Sequence, residues 1–215
     1  MSRQIQQFLF PANPDASVSQ KRAEEILKPY LGMISEAVNA AFMEFLAKID
    51  PSLRRKLLTS TRGQVVTNLI WEAVRDNLTG ADKDIVFCDK LGFLKIIFND
   101  EIVVRFKRLN AERLAASQGS EQALAWVSNR PLHGIADHLL RVNFGYRPEQ
   151  NWATCSQFFL THQRSFTTLD WCTEFQLVDE PIDSQNEIAP FDGPRGPEIK
   201  IITRNNTYTG NKADT

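Results

Sequence analysis

FLKIIFNDEIVVRFKRLN, residues 93–110, is two runs of β-branched and aromatic residues on either side of Asn99-Asp100. Asn and Asp tolerate the positive φ of tight hairpin turns, so the stretch reads as a β-hairpin closed by a two-residue turn. That turn predicts Ile97 opposite Ile102 and Phe93 opposite Phe106. One face then carries Phe93, Ile97, Ile102, Val104 and Phe106. The other carries Leu94, Ile96, Phe98, Val103, Arg105 and Lys107. Both faces are partly apolar, which predicts a central hairpin covered on both sides.

The natural cover lies upstream. Ser17 or Ser19 is placed to cap a helix, and Pro29 is expected to break or kink it. Leu31, Ile34, Val38, Ala41, Phe42, Phe45 and Ile49 then recur at three- and four-residue steps and draw one apolar stripe. A helix restarts after Asp50-Pro51, and another is expected from about Thr61 to Leu78, with Gly80 at the C-cap position. Downstream the period is two. Strands are expected at Asp84–Cys88, His138–Tyr146, Trp152–His162 and Thr167–Leu177, and a short last one in EIKIITR, with a short helix from Ser120 to Trp126 turning Ala123, Leu124 and Val127 inward. The expected organisation is an irregular arm over residues 1–17, a helical part over 18–80, an antiparallel β part over 81–177 forming one unit with the helices, and an arm over 178–215. Residues 178–198 hold six acids, one base and four prolines, the mark of a solvated segment. The predicted class is α+β: N-terminal helices packed on a mostly antiparallel, roughly five-stranded sheet with one inserted short helix.

The chain has 215 residues, 42% of them hydrophobic and 24% charged, with a net charge of −1. This balance suits a core-forming domain and excludes a protein whose whole surface grips nucleic acid, while leaving room for a local basic patch. No apolar run approaches the ~18 residues of a membrane span, and the Phe8–Phe10 patch is too short for a signal-peptide core. Cys88, Cys155 and Cys172 are an odd set without short spacing, which suits reduced structural thiols and a cytoplasmic location.

Chemistry-bearing motifs are sparse. His133, Asp137 and His138 fall short of the three or four converging ligands a zinc site takes, so no metal and no cofactor is expected. A nuclease of the restriction-enzyme-like class places an acid two residues before a lysine on one strand. Asp84, Asp89, Asp100, Glu101 and Lys107 invite that reading, but Arg105 stands where the acid belongs and removes a metal-binding carboxylate. There is no phosphate-binding Gly-rich loop, no Gly-x-Ser-x-Gly and no His-Glu-x-x-His. What remains is a basic strand end, Arg105, Lys107 and Arg108, with Arg113, Lys95 and Arg141 as neighbours. Arg105, Lys107, Arg108 and Arg141 are the candidate binding residues, for phosphate or another acid. The competing reading is a strand end neutralised by Glu101, Glu174 or the acidic arm. Trp126, Trp152, Trp171, Phe158, Phe159 and Phe175 fit either a sheet core or a nucleobase-stacking surface, and the core is the commoner outcome.

EIVVRFKRLN, followed by QALAWVSNRPLHGI, HLLRVNFGY and two aromatic-rich strands, resembles a group of small uncharacterised actinobacterial and phage proteins over about Asp100 to Leu177. In that group a strand ending in Arg-Phe-Lys precedes a helix with a Gln-Ala-Leu core and a strand ending in Gly-Tyr. The last strands of this chain depart from the pattern. Genes of the group often lie beside one for a helix-turn-helix protein with a zincin-like peptidase domain of the ImmA/IrrE type. The resemblance implies a toxin-like effector of a toxin–antitoxin or phage-defence pair, partnered by a protein antitoxin or regulator, and it carries over no catalytic residue. Arg105, Phe106 and Lys107 are the shared positions. The alternatives are a nucleic-acid-binding module using the basic strand and aromatics, and a non-catalytic interaction protein, with homo-oligomer formation open to each.

Overall fold

The structure is a computed structural model that describes residues 16–89, 94–115, 120–149, 152, 154–177 and 199–202. The chain runs α1 (Ala16–Lys48), α2 (Pro51–Lys56), α3 (Thr59–Leu78), β1 (Ile85–Cys88), β2 (Lys95–Phe98), β3 (Ile102–Arg108), α4 (Glu121–Val127), β4 (Leu140–Pro148), β5 (Cys155–Gln163), β6 (Leu169–Leu177) and β7 (Ile199–Ile202). The class is α+β, as the sequence predicts. The sheet has seven strands rather than about five, and their spatial order equals their order in the chain. The short edge strands β1 and β7 complete it, at the two places where the sequence suggests strands in Asp84–Cys88 and EIKIITR, and β7 takes residues 199–202 of the predicted C-terminal arm into the sheet.

Helix α1 continues through Pro29, so the expected break is absent. Proline in a helix interior costs roughly 3 kcal/mol. Here Ala23, Ile26 and Leu27 before it and Leu31, Ile34, Ala37, Val38 and Phe42 after it are all buried in one core, so packing outweighs the loss. Pro29 itself faces solvent, where water can reach the carbonyl it leaves without a donor. Helix α3 ends as predicted: Thr79 bonds back to the Arg75 carbonyl at 2.8 Å, and Gly80 takes φ +83°.

The hairpin is present, but its register differs by one. Asn99 and Asp100 take φ of 53° and 51° and form the turn, closed by the Glu101 N–H donating to the Phe98 carbonyl at 3.0 Å. Yet Phe98 pairs with Ile102 and Ile97 with Val103, so Glu101 joins the loop. Burial explains the shift. A two-residue loop would set Ile97 beside Ile102 and split the apolar residues between faces. The longer loop puts Ile96, Phe98, Ile102, Val104 and Phe106 together against the helices. The expected Phe93–Phe106 pair falls on residue 93, outside the described residues.

On that face α1 and α3 cover an apolar surface continued by Val142, Phe144 and Tyr146 of β4, Phe158 and Leu160 of β5 and Phe175 of β6. Phe144 is its hub, with ring centroids 5.5–6.0 Å from Phe106, Phe158 and Phe175. The opposite face is covered by α4 and the loop after it. Trp126, Val127, Ile135 and Leu139 close over Val103 there. Ser120 caps α4 as expected, its hydroxyl accepting from the Ala123 N–H at 3.2 Å, but Trp126 points inward and Leu124 stays 41% exposed.

One pairing breaks the antiparallel rule. β3 and β4 are parallel, with Arg105 opposite Asn143, Phe106 opposite Phe144 and Lys107 opposite Gly145. The sheet is therefore mixed, and α4 lies in the long crossover that a parallel pair needs. Gly145 is required at its place. A Cβ there would lie 2.3 Å from Leu109 Cδ1, so the Leu109 side chain occupies the space a larger residue would take.

Gly145→Ala is expected to destabilise the protein by about 1–3 kcal/mol through overpacking. Gly63→Ala, inside α3 with Trp152 at an ordinary 3.9 Å, is expected to stabilise it by up to about 1 kcal/mol. Urea unfolding midpoints of the two variants check both signs.

Candidate functional site

The alternation of β3 sends Arg105 and Lys107 to the α4-covered face and Arg108 to the helix face, as the sequence predicts. Arg141, diagonal to Arg105 on β4, shares the face, and so does Lys95, one step beyond the Ile96–Val104 pair. Lys95, Arg105 and Arg141 are each only 2% exposed, so a row of cations runs under α4.

Each has a defined setting. Arg105 lies with its guanidinium carbon 4.4 Å from the Trp126 ring centroid, and its Nε donates to Asn143 Oδ1 at 2.7 Å. Asn143 Nδ2 then donates to Thr161 Oγ1 and Gln163 Oε1, both at 3.2 Å. A polar row thus crosses β3, β4 and β5. Arg141 is a strut: Nη1 donates to the Ala125 carbonyl at 2.6 Å and Nη2 to the Arg130 carbonyl at 2.8 Å. It holds the C-terminal turn of α4 and the loop beyond, where the helix dipole favours a cation. Lys95 Nζ donates to the His133 carbonyl at 3.3 Å. Carbonyls, an amide oxygen and a ring face are among the partners of these groups, and the acidic arm expected as a neutraliser lies outside the described residues. Glu101 is taken by Arg22 at 2.6 Å and Glu174 by Arg113 at 3.0 Å, so neither neutralises the row.

Lys107 differs from the others. It is half-buried, at the end of the row, opposite a glycine. Burial first, and then the charge of Arg105, push its ammonium down to about 8. Burial and then Arg141 lower Arg105 too, but a guanidinium stays charged at neutral pH. Arg108, also half-buried, sits on the other face with its guanidinium carbon 5.7 Å from the Trp152 ring centroid. The four candidate residues therefore divide: Arg105 and Lys107 share the cationic face, Arg141 braces its cover, and Arg108 lies apart.

No protein-family model, curated protein or solved structure matches this chain. The site stands on its own chemistry.

Other candidates sort clearly. Trp126, Trp152, Trp171, Phe158, Phe159 and Phe175 are all at most 6% exposed, so they are core and offer no open stacking platform. Cys155 is pushed up to about 12 by burial, with its thiol donating to the Arg147 and Gln157 carbonyls, and Cys172 to about 11, also by burial. Raised thiols are poor nucleophiles at neutral pH. His138 Nε2 lies 3.0 Å from the Asp100 carbonyl at the exposed hairpin turn, while His162 is buried, stacked on Trp171 with Asp170 at 3.1 Å. Among the described residues no three His, Cys, Asp or Glu side chains converge to hold a metal ion.

Sequence reasoning missed Asn143, Thr161 and Gln163. The signal was present: polar residues recur at one parity of strands whose other parity carries the large apolar residues Val142, Phe144, Phe158 and Leu160.

Lys107 gives the site a pH signature. Its folded value of about 8 lies below the ordinary 10.5, so the unfolded chain holds the proton more tightly. Below pH 8 both states are protonated and the folding penalty is complete. As pH rises from 8 toward 10.5 the folded state loses its proton first, and stability rises. Lys107→Met is expected to remove this rise, so the gap between variant and wild-type urea midpoints should shift in favour of wild type across that interval.

Proposed function

We infer that the chain is a toxin-like effector that works by capturing an anionic group at the Lys107 end of the cationic row, under the control of a protein partner. The observation that carries the capture step is the pairing of half-buried Lys107 with buried Arg105 on one sheet face. Clustered cations out of water raise each other's energy, and a bound phosphate or carboxylate relieves that cost. Lys107 supplies a compact ammonium at the less buried end of the row, and Arg105, held by Trp126 and Asn143, supplies positive potential behind it. Protonated below about pH 8, Lys107 binds an anion as an ammonium.

The effector role rests on the resemblance. Its three parts, Arg105–Lys107, the Gln122–Leu124 helix segment and Gly145-Tyr146, lie on β3, α4 and β4, which surround this site. That convergence supports reading them as one functional unit. The nucleic-acid alternative is weaker here, because Arg105 and Arg141 are buried and a duplex needs several cations at the surface.

Two measurements test the reading. Inorganic phosphate titrated at constant ionic strength should raise the melting temperature of the wild type, and Lys107→Ala should lose most of that rise. Induced expression in a bacterial host should arrest growth, relieved by co-expression of the adjacent gene, and Lys107→Ala should grow normally while still folding. Harmless expression of the wild type defeats the effector role. Full phosphate stabilisation of Lys107→Ala defeats the site.

A further inference from the structure

Helix α2 buries none of its side chains, yet both of its ends are tied down. Asp50 Oδ1 accepts from the Ser52 N–H at 2.8 Å, the Leu53 N–H at 3.4 Å and the Ser52 hydroxyl at 2.5 Å. At the other end Arg62 donates from Nε to the Leu57 carbonyl at 3.1 Å and from Nη2 to the Arg55 carbonyl at 3.5 Å. A helix this short has little stability of its own, and this one adds nothing to the core. Its capping serves the presentation of side chains rather than their packing.

Helix α2 presents Leu53 at 49% exposure, and Leu58, at 72%, follows between α2 and α3, with Arg54, Arg55 and Lys56 between the two leucines. From Pro51 through Trp71 the chain has four bases, Arg54, Arg55, Lys56 and Arg62, and no acid. Helices α1 and α3 run antiparallel, with Asn77 Nδ2 donating to the Met33 carbonyl at 3.3 Å, so α2 is the tip of a helical hairpin. Exposed leucines set beside bases at the tip of a helical hairpin suit entry into a surface that is anionic outside and apolar beneath.

We propose that this tip docks on an anionic lipid surface. Leu53 and Leu58 enter the boundary between headgroups and acyl chains, and Arg54, Arg55 and Lys56 lie among the lipid phosphates with their stems along the apolar layer. The attachment is peripheral. Among the described residues no helix is long and apolar enough to cross a membrane. A duplex or single strand of nucleic acid would use the bases but gain nothing from the leucines. The tip is built from residues separate from Lys107, so it works whether or not the anion site does.

Sedimentation of the full chain with vesicles tests the proposal. Binding is expected to phosphatidylcholine vesicles containing phosphatidylglycerol and to be at least about tenfold weaker to phosphatidylcholine alone. Leu53→Ser with Leu58→Ser should cut binding several-fold, and Arg54→Gln, Arg55→Gln and Lys56→Gln together should abolish it. All these side chains lie outside the core, and unchanged melting temperatures confirm intact variants. Lys107→Ala should bind as wild type does. Absence of binding to the anionic vesicles overturns the proposal. So does binding that needs the bases but ignores the leucines, or an equal affinity of the tip for a DNA oligonucleotide.

Discussion

A guanidinium at the centre of a sheet is the constraint around which the β half is arranged. Arg105 is 2% exposed, and its charge must be accommodated without water. Trp126 supplies a ring face on one side, and Asn143 supplies an acceptor from the neighbouring strand. Both demands bear on topology. Asn143 can face Arg105 only because β4 lies beside β3 in parallel register. Trp126 can cover it only because the crossover between those strands carries α4 over that face. Arg141 then pins the end of α4 to β4, so the cover and the strand it covers are held by one side chain.

This design divides the sheet into two chemically different faces. The helix-covered face is apolar and aromatic, and α1 and α3 close it by ordinary hydrophobic burial. The other face has small apolar clusters around Trp126 and Phe159, with a polar row between them. Buried ionic groups are a poor choice where stability is the only requirement, since well-packed apolar residues of similar volume often do as well or better. Carbonyls, an amide oxygen and a ring face are among the groups that fix the cations of that row, so their burial also ties α4 and the loop after it to the sheet.

The sequence was legible where one pattern dominated. The α1 stripe, the end of α3 at Gly80, the capping of α4 by Ser120 and the alternation of β3 through β6 were all visible, because each rests on local periodicity or a single backbone conformation. The misreadings arose where a tertiary demand overrode a local signal. Pro29 stays helical because buried residues flank it on both sides. The hairpin takes a three-residue loop because Phe98 and Ile102 belong to the same core. The parallel β3–β4 pair left no trace in either strand, since pairing direction is set by the crossover and not by strand composition. For the site, the residue types and the faces of Arg105, Lys107 and Arg108 were readable. That Arg141 is a brace and that Asn143, Thr161 and Gln163 complete the row required knowing which strands are neighbours.

The match between strand order and chain order bears on how the protein is made. Every strand from β2 to β7 pairs with its immediate predecessor, so the sheet can grow one strand at a time as the chain emerges from the ribosome. Its first helix cannot finish early in the same way. The Ser19 hydroxyl accepts from the Trp171 indole at 3.0 Å, and the Gln20 amide donates to Thr173 Oγ1 at 3.0 Å, so the start of α1 waits for β6. Contacts spanning about 150 residues place this junction after the synthesis of β6, whereas the apolar stripe farther along α1 can pack on α3 as soon as that helix has formed.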